Sequence, residues 1–259
     1  MKMRHLLILG GVFFLWALLM NAPAATLNAW FAPKAAPAPG ATQVQLYGVQ
    51  GTLDQGSASA LGINDRPVVR ELRWSFQPWW LPLLRASFHV DGGGDQLRLD
   101  GRAAFVFGGV NLASAHVAGG LKALLDIGSL GYAPLDGEGR LDIDSLKLRG
   151  GLPAYAVGKA EVHNLAWTLS KDPLVLGDFK ADFTTTDGTI TGKISSEAGA
   201  VDATGEVHLK ADHSYDYDLR LKTKPGADPM LVNLLDSLGP TGPDGSHRLA
   251  AAGKLAQTP

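Results

Sequence analysis

The sequence predicts a mainly β protein: an elongated, curved antiparallel sheet built from two weakly similar halves, with two short helices and an N-terminal transmembrane helix. Three observations carry this reading. The 259 residues include 32 glycines and 15 prolines, which interrupt the chain too often for long helices. From Gln43 onward apolar residues recur with period two between glycine and Asp-Gly breaks, the pattern of half-buried antiparallel strands. An unbroken apolar run occurs at the N-terminus instead.

That run comes first along the chain. Lys2 and Arg4 precede Leu6, Leu7, Ile8, Leu9, Val12, Phe13, Phe14, Leu15, Trp16, Leu18, Leu19 and Met20, and the next charge is Lys34. A basic end followed by apolar residues is a membrane-targeting element whose basic side stays cytoplasmic. Two outcomes compete. An apolar core that stops at Met20 is short for a bilayer, which takes about 20 residues, and this favours a signal peptide cut near Ala22, Ala24 and Ala25. Pro23 interrupts that cleavage site, and Trp30 and Phe31 suit the interfacial end of a longer, tilted anchor over residues 1–31. Residues 32–42, with Pro33, Pro37, Pro39 and Gly40 among alanines, form a semi-rigid spacer. The spacer holds a body of residues 43–259 off the membrane.

Strands dominate that body. Leu97, Leu99 and Ala103 alternate with Arg98, Asp100 and Arg102, and Val207 and Leu209 with Glu206, His208 and Lys210, giving one apolar face and one wet face. Leu141, Ile143 and Leu146 stand among Asp142, Asp144 and Lys147. Asp187-Gly188 predicts a tight hairpin, because both residues tolerate the positive φ that a type I′ turn demands. Two segments predict helices. In 229–238, Asp228 can cap, Pro229 suits the first turn, Met230, Leu231, Leu234, Leu235 and Leu238 make an apolar stripe, and Gly239 can end it. In 121–127, Leu121, Leu124 and Leu125 share a side and Gly128 follows. Both are followed by an Asp-Gly turn and a strand, Asp136-Gly137 and Asp244-Gly245. These parallels predict two related halves, 43–150 and 151–259, dividing near Gly150-Gly151.

Composition and motifs also exclude functions. A formal charge of −2 and the lack of a basic stripe leave no field for nucleic acid. No cysteine is present, so thiolate chemistry and disulfides are out of reach. His5, His89, His116, His163, His208, His213 and His247 show no ligand spacing and read as solvent-facing strand residues. Asp212, His213, Asp216 and Asp218 form the densest polar cluster, but their alternation with Tyr215, Tyr217 and Leu219 is that of a strand with one wet side. Gly92, Gly93 and Gly94 lack the following helix that a phosphate loop needs and read as a hairpin loop. No catalytic, cofactor-binding or metal-ligating residue is expected, and the chain reads as non-enzymatic. The candidate contact surface is aromatic: in the cluster Trp74, Phe76, Trp79 and Trp80, adjacent Trp79 and Trp80 cannot both point inward from a regular strand.

In arrangement the chain resembles the type II secretion system protein N family. After the membrane segment come Leu46-Tyr47-Gly48-Val49-Gln50-Gly51-Thr52-Leu53, Gly56-Ser57-Ala58, Leu72-Arg73-Trp74 and an aromatic-proline stretch ending at Leu83-Leu84. Gly137-Glu138-Gly139-Arg140-Leu141, Trp167, Leu176-Gly177 and Gly253-x-Leu255 follow. Asp54 departs from the family pattern, which has an aromatic residue there. The resemblance implies a single-pass inner-membrane protein with a periplasmic domain, whose partners are other type II secretion subunits of the inner-membrane platform or linked to the secretin. It also tips the N-terminal segment toward a retained anchor. The alternative is a periplasmic lipid-binding or lipid-bridging sheet protein, because a long one-sided sheet offers an apolar trough.

Overall fold

A computed structural model describes residues 21–26, 44–63, 66–77, 85–94, 96–127, 133–150, 152–169 and 171–255. They form one curved antiparallel sheet of fourteen strands. The strands are β1 (Val44–Tyr47), β2 (Gln50–Gly51), β3 (Gln55–Ile63), β4 (Arg66–Gln77), β5 (Ala86–Gly92), β6 (Leu97–Val106) and β7 (Gly109–Gly120). After helix α1 (Leu121–Ile127) come β8 (Leu135–Arg149), β9 (Leu152–Trp167), β10 (Leu174–Thr186), β11 (Thr189–Gly199), β12 (Val201–Leu209) and β13 (Ser214–Thr223). Helix α2 (Pro229–Asp236) and β14 (His247–Lys254) complete the order. From β3 to β14 each strand pairs with the next in sequence, while β1 and β2 both pair with β3.

Period-two patterning explains the meander, since each hairpin keeps one set of side chains on the apolar face. At the tip of β10 and β11, Asp187 and Gly188 have φ of 49° and 76° and join Thr186 to Thr189, the geometry expected of the Asp-Gly pair. Where the alternation slips, the register slips. Leu141 and Ile143 share a parity that Leu146 lacks, and the β8–β9 ladder shifts between Ile143 and Ser145. The extra residue returns Leu146 to the apolar face.

Both helices lie on the apolar face at one end of the strands. A Cβ on Gly139 of β8 would overlap Leu124 of α1, so the missing side chain lets the helix settle on the sheet. This end joins a core of Val69, Leu72, Trp74 and Leu97, with Ala123 and Leu124 packed against it. α2 begins with the Asp228 carboxylate accepting from the Met230 N–H at 2.7 Å and stops at Ser237, two residues before Gly239. Leu231 and Leu235 pack on Val201 in a second core. Met230, placed on the apolar stripe by spacing, is exposed because an eight-residue helix turns only a narrow side to the sheet, and Leu238 is exposed because it lies beyond the end of the helix. α1 follows β7 and α2 follows β13, six strands later.

The segment before the body also touches it. Pro23 bridges Thr52, the Ala24 N–H donates to Gly51 O, and the Leu53 N–H donates to Ala22 O. Ala24 is fully buried in the first core. Among the described residues no helix is long and apolar enough to cross a membrane. The apolar run Leu6 to Met20 and the spacer 32–42 lie outside the described residues.

Candidate functional site

Three surfaces are available for function: the charged face, the apolar face, and the sheet edges. The charged face is a ladder of paired side chains. His116 Nδ1 and Arg140 Nε lie 2.6 and 2.8 Å from the Asp142 carboxylate, and Arg140, with His116 adding to it, holds that carboxyl below the usual carboxylate range. Asp216 takes Lys210 at 3.1 Å and His208 at 3.0 Å and is likewise held low, chiefly by Lys210. Arg248 grips Asp218 with two bonds, at 2.9 and 2.7 Å, and lowers it too. His89 faces Asp100, and His163 lies between Glu161 and Asp178.

The Asp212–Asp218 cluster therefore divides among separate tasks. Asp212 accepts from the Ser214 N–H and hydroxyl in the β12–β13 turn, and the other two carboxylates bond across strands. Among the described residues no group of three His, Asp or Glu side chains is placed to hold a metal ion. Carboxylates bonded to arginine and histidine across strands stabilise register. One histidine departs from the solvent-facing expectation. His247 is 4% exposed, with Nδ1 at 3.1 Å from Gly239 O and Nε2 at 3.3 Å from Asp236, and ties the end of α2 to β14.

On the apolar face, toward the strand ends away from the two helices, is an open groove of about 330 Å³. Leu141, Ile143, Val157, Phe183, Ile190 and Val207 are among its lining residues, and every lining residue is apolar or glycine. A fork in the sheet shapes it. The β9–β10 ladder ends at Gly158↔Phe183, whereas β8–β9 continues to Leu152 and β10–β11 to Thr189. Thr185 spans the fork: its Oγ1 accepts from the Ala156 N–H at 2.9 Å and donates to Ala156 O at 2.8 Å. The backbone there is satisfied without narrowing the groove.

The two edges differ. On one side β1 is four residues long, Gly48 with φ 59° interrupts the edge before β2, and residues 22–24 cover the β2 end. On the other, β14 pairs with β13 over eight consecutive residues without a register shift. Among the described residues its outer side is met near His247 alone, by Thr241. Of the aromatic cluster, Trp74 and Phe76 are buried core residues of β4, and Trp74 Nε1–H donates to Thr52 O at 3.3 Å. Trp79 and Trp80 lie outside the described residues.

A family model of type II secretion system protein N matches residues 42–250. The chain belongs to that family. The matched stretch runs from just before β1 into β14, so family membership covers nearly the whole sheet and both helices. No curated protein and no solved structure matches the chain. The family describes a component of the secretion machinery.

Proposed function

We propose that this protein is a non-enzymatic, envelope-associated component of the type II secretion pathway that supports export across the outer membrane by binding other subunits of the machine. The family match over the sheet carries this reading. The geometry supports it: many charged side chains are engaged in cross-strand pairs, while among the described residues backbone at the β14 edge is left for contact. In this proposal Leu6 to Met20 hold the chain in the inner membrane with the sheet in the periplasm, and Trp79 and Trp80 form an aromatic contact. Deleting the gene in a secreting strain tests it. The expected result is loss of exported enzymes from the medium, restored by the wild-type chain; unchanged export contradicts the proposal.

A second reading, lipid binding, is favoured by the groove. A cavity of about 330 Å³ is at the small end of ligand pockets, ~300–1,000 Å³, and its lining has no polar side chain to hold a polar ligand. Native mass spectrometry of the chain released from membranes checks this: a bound lipid lost on Val207→Trp supports it, and a ligand-free spectrum refutes it.

A further inference from the structure

We propose that the outer edge of β14 is a docking site for an extended segment of another secretion subunit, which joins the sheet as a further strand. This rests on the reading that the chain acts by binding such subunits and names the surface and mode of binding.

Hydrogen bonds at the two ends of β14 fix which backbone groups face out. The Leu255 N–H donates to His213 O, on the β13 side. Residues of that parity, Leu249, Ala251 and Gly253, therefore turn their backbone groups inward. The Gly242 N–H donates to Ser246 O on the opposite side, which gives the same phase from the other end. Ala250 and Ala252 thus turn N–H and C=O outward. A row of alternating donors and acceptors along one line is matched by an extended backbone, and this fixes the partner as a peptide strand.

The edge also lacks the devices that keep edges unpaired, such as proline, a bulge or a charge in mid-strand. Leu249 to Gly253 is five residues without a charge, and Ala250, Ala251 and Ala252 are exposed. Their small side chains admit a neighbouring backbone at strand spacing. The β1–β2 edge is broken and partly covered, whereas among the described residues the β14 edge from Leu249 to Gly253 is uncovered.

Charge separates a foreign strand from a second copy of this chain. An antiparallel pairing of the whole stretch with its own copy sets Arg248 opposite Lys254 at both ends, and like charges directly opposite destabilise a pair. Arg248 is already matched by Asp218 in a close pair, whereas Lys254 forms no close ion pair among the described residues and meets the Asp212 carboxylate only through space. The fitting partner is a segment of alternating apolar and polar residues that brings a carboxylate to Lys254.

Amide hydrogen exchange on the full chain, alone and in the purified secretion complex, tests this. In the isolated chain the Ala250 and Ala252 amides exchange rapidly and Ala251 slowly; in the complex the two even-numbered amides slow by about a hundredfold. The double variant Ala250→Pro/Ala252→Pro removes outward donors while keeping the β13 ladder, and should fold but not be retained by the complex. If the chain is retained while those amides stay fast, the edge proposal fails and the functional reading stands. If the chain never joins the complex, the functional reading fails first. Protection that rises with concentration of the isolated chain means a second copy occupies the edge, and overturns the proposal.

Discussion

Leu231→Ala tests how the apolar face is closed. Leu231 is 1% exposed and packs with Leu235 on Val201. The change removes three carbons, about 2.4 kcal/mol of transfer free energy at ~0.8 kcal/mol each, and the cavity raises the loss to ~2.7–5 kcal/mol. α2 has eight residues, and isolated helices below ~12–15 residues are marginal in water, so the loss falls on docking of this helix before it reaches the sheet. A loss of about 3 kcal/mol raises the detached fraction of α2 roughly a hundredfold. Thermolysin, which cuts before Leu234 and Leu235 once the helix opens, reads that fraction when reclosing outpaces cleavage. The expected result is cleavage in 229–238 accelerated about a hundredfold, with cleavage of the sheet unchanged. Acceleration below about fivefold would refute the claim that Leu231 holds the helix.

Asp228→Ala removes the cap bonded to Met230 N–H and should weaken α2 by ~0.5–2 kcal/mol, seen as a smaller acceleration at the same thermolysin sites. The Phe88 ring lies tilted at 5.1 Å from Phe76 and edge-to-face at 6.0 Å from Phe105; Phe88→Ala should lower the urea-derived stability by about 3 kcal/mol, the low end for such changes because the ring is half-buried. Acid should loosen the charged face. Asp142, Asp216 and Asp218 are depressed in the folded chain, so their contribution is present above the unfolded aspartate value of ~3.9 and is lost as pH falls through the lower folded values. Stability measured by urea titration should drop below about pH 4, and less steeply in Asp142→Asn.

Much of the fold was legible because each strand keeps one side wet. Leu97 and Leu99 alternating with Arg98 and Asp100 announced β6, and Asp187-Gly188 announced its hairpin. Helix α1 matched its sequence bounds, and α2 its capping residue. Bulges were not legible: the shift after Ile143 depends on how β9 pairs, which no local pattern encodes. The groove was foreseen as a trough in general terms, but its position depends on where the β9–β10 ladder stops and on Thr185, whose side chain replaces a ladder bond. The open edge of β14 was equally hidden. Leu249 to Gly253 reads as a small apolar strand, and only topology makes it the last one. His247 misled because alternation places a side chain on a face without saying what covers that face.

The most direct test of the central claim is affinity purification of the full chain from membranes of a secreting cell, with the co-eluting proteins identified by mass spectrometry. The account predicts type II secretion subunits in stoichiometric yield, reduced by Ala250→Pro/Ala252→Pro. An eluate containing the folded chain and no secretion subunit would contradict it.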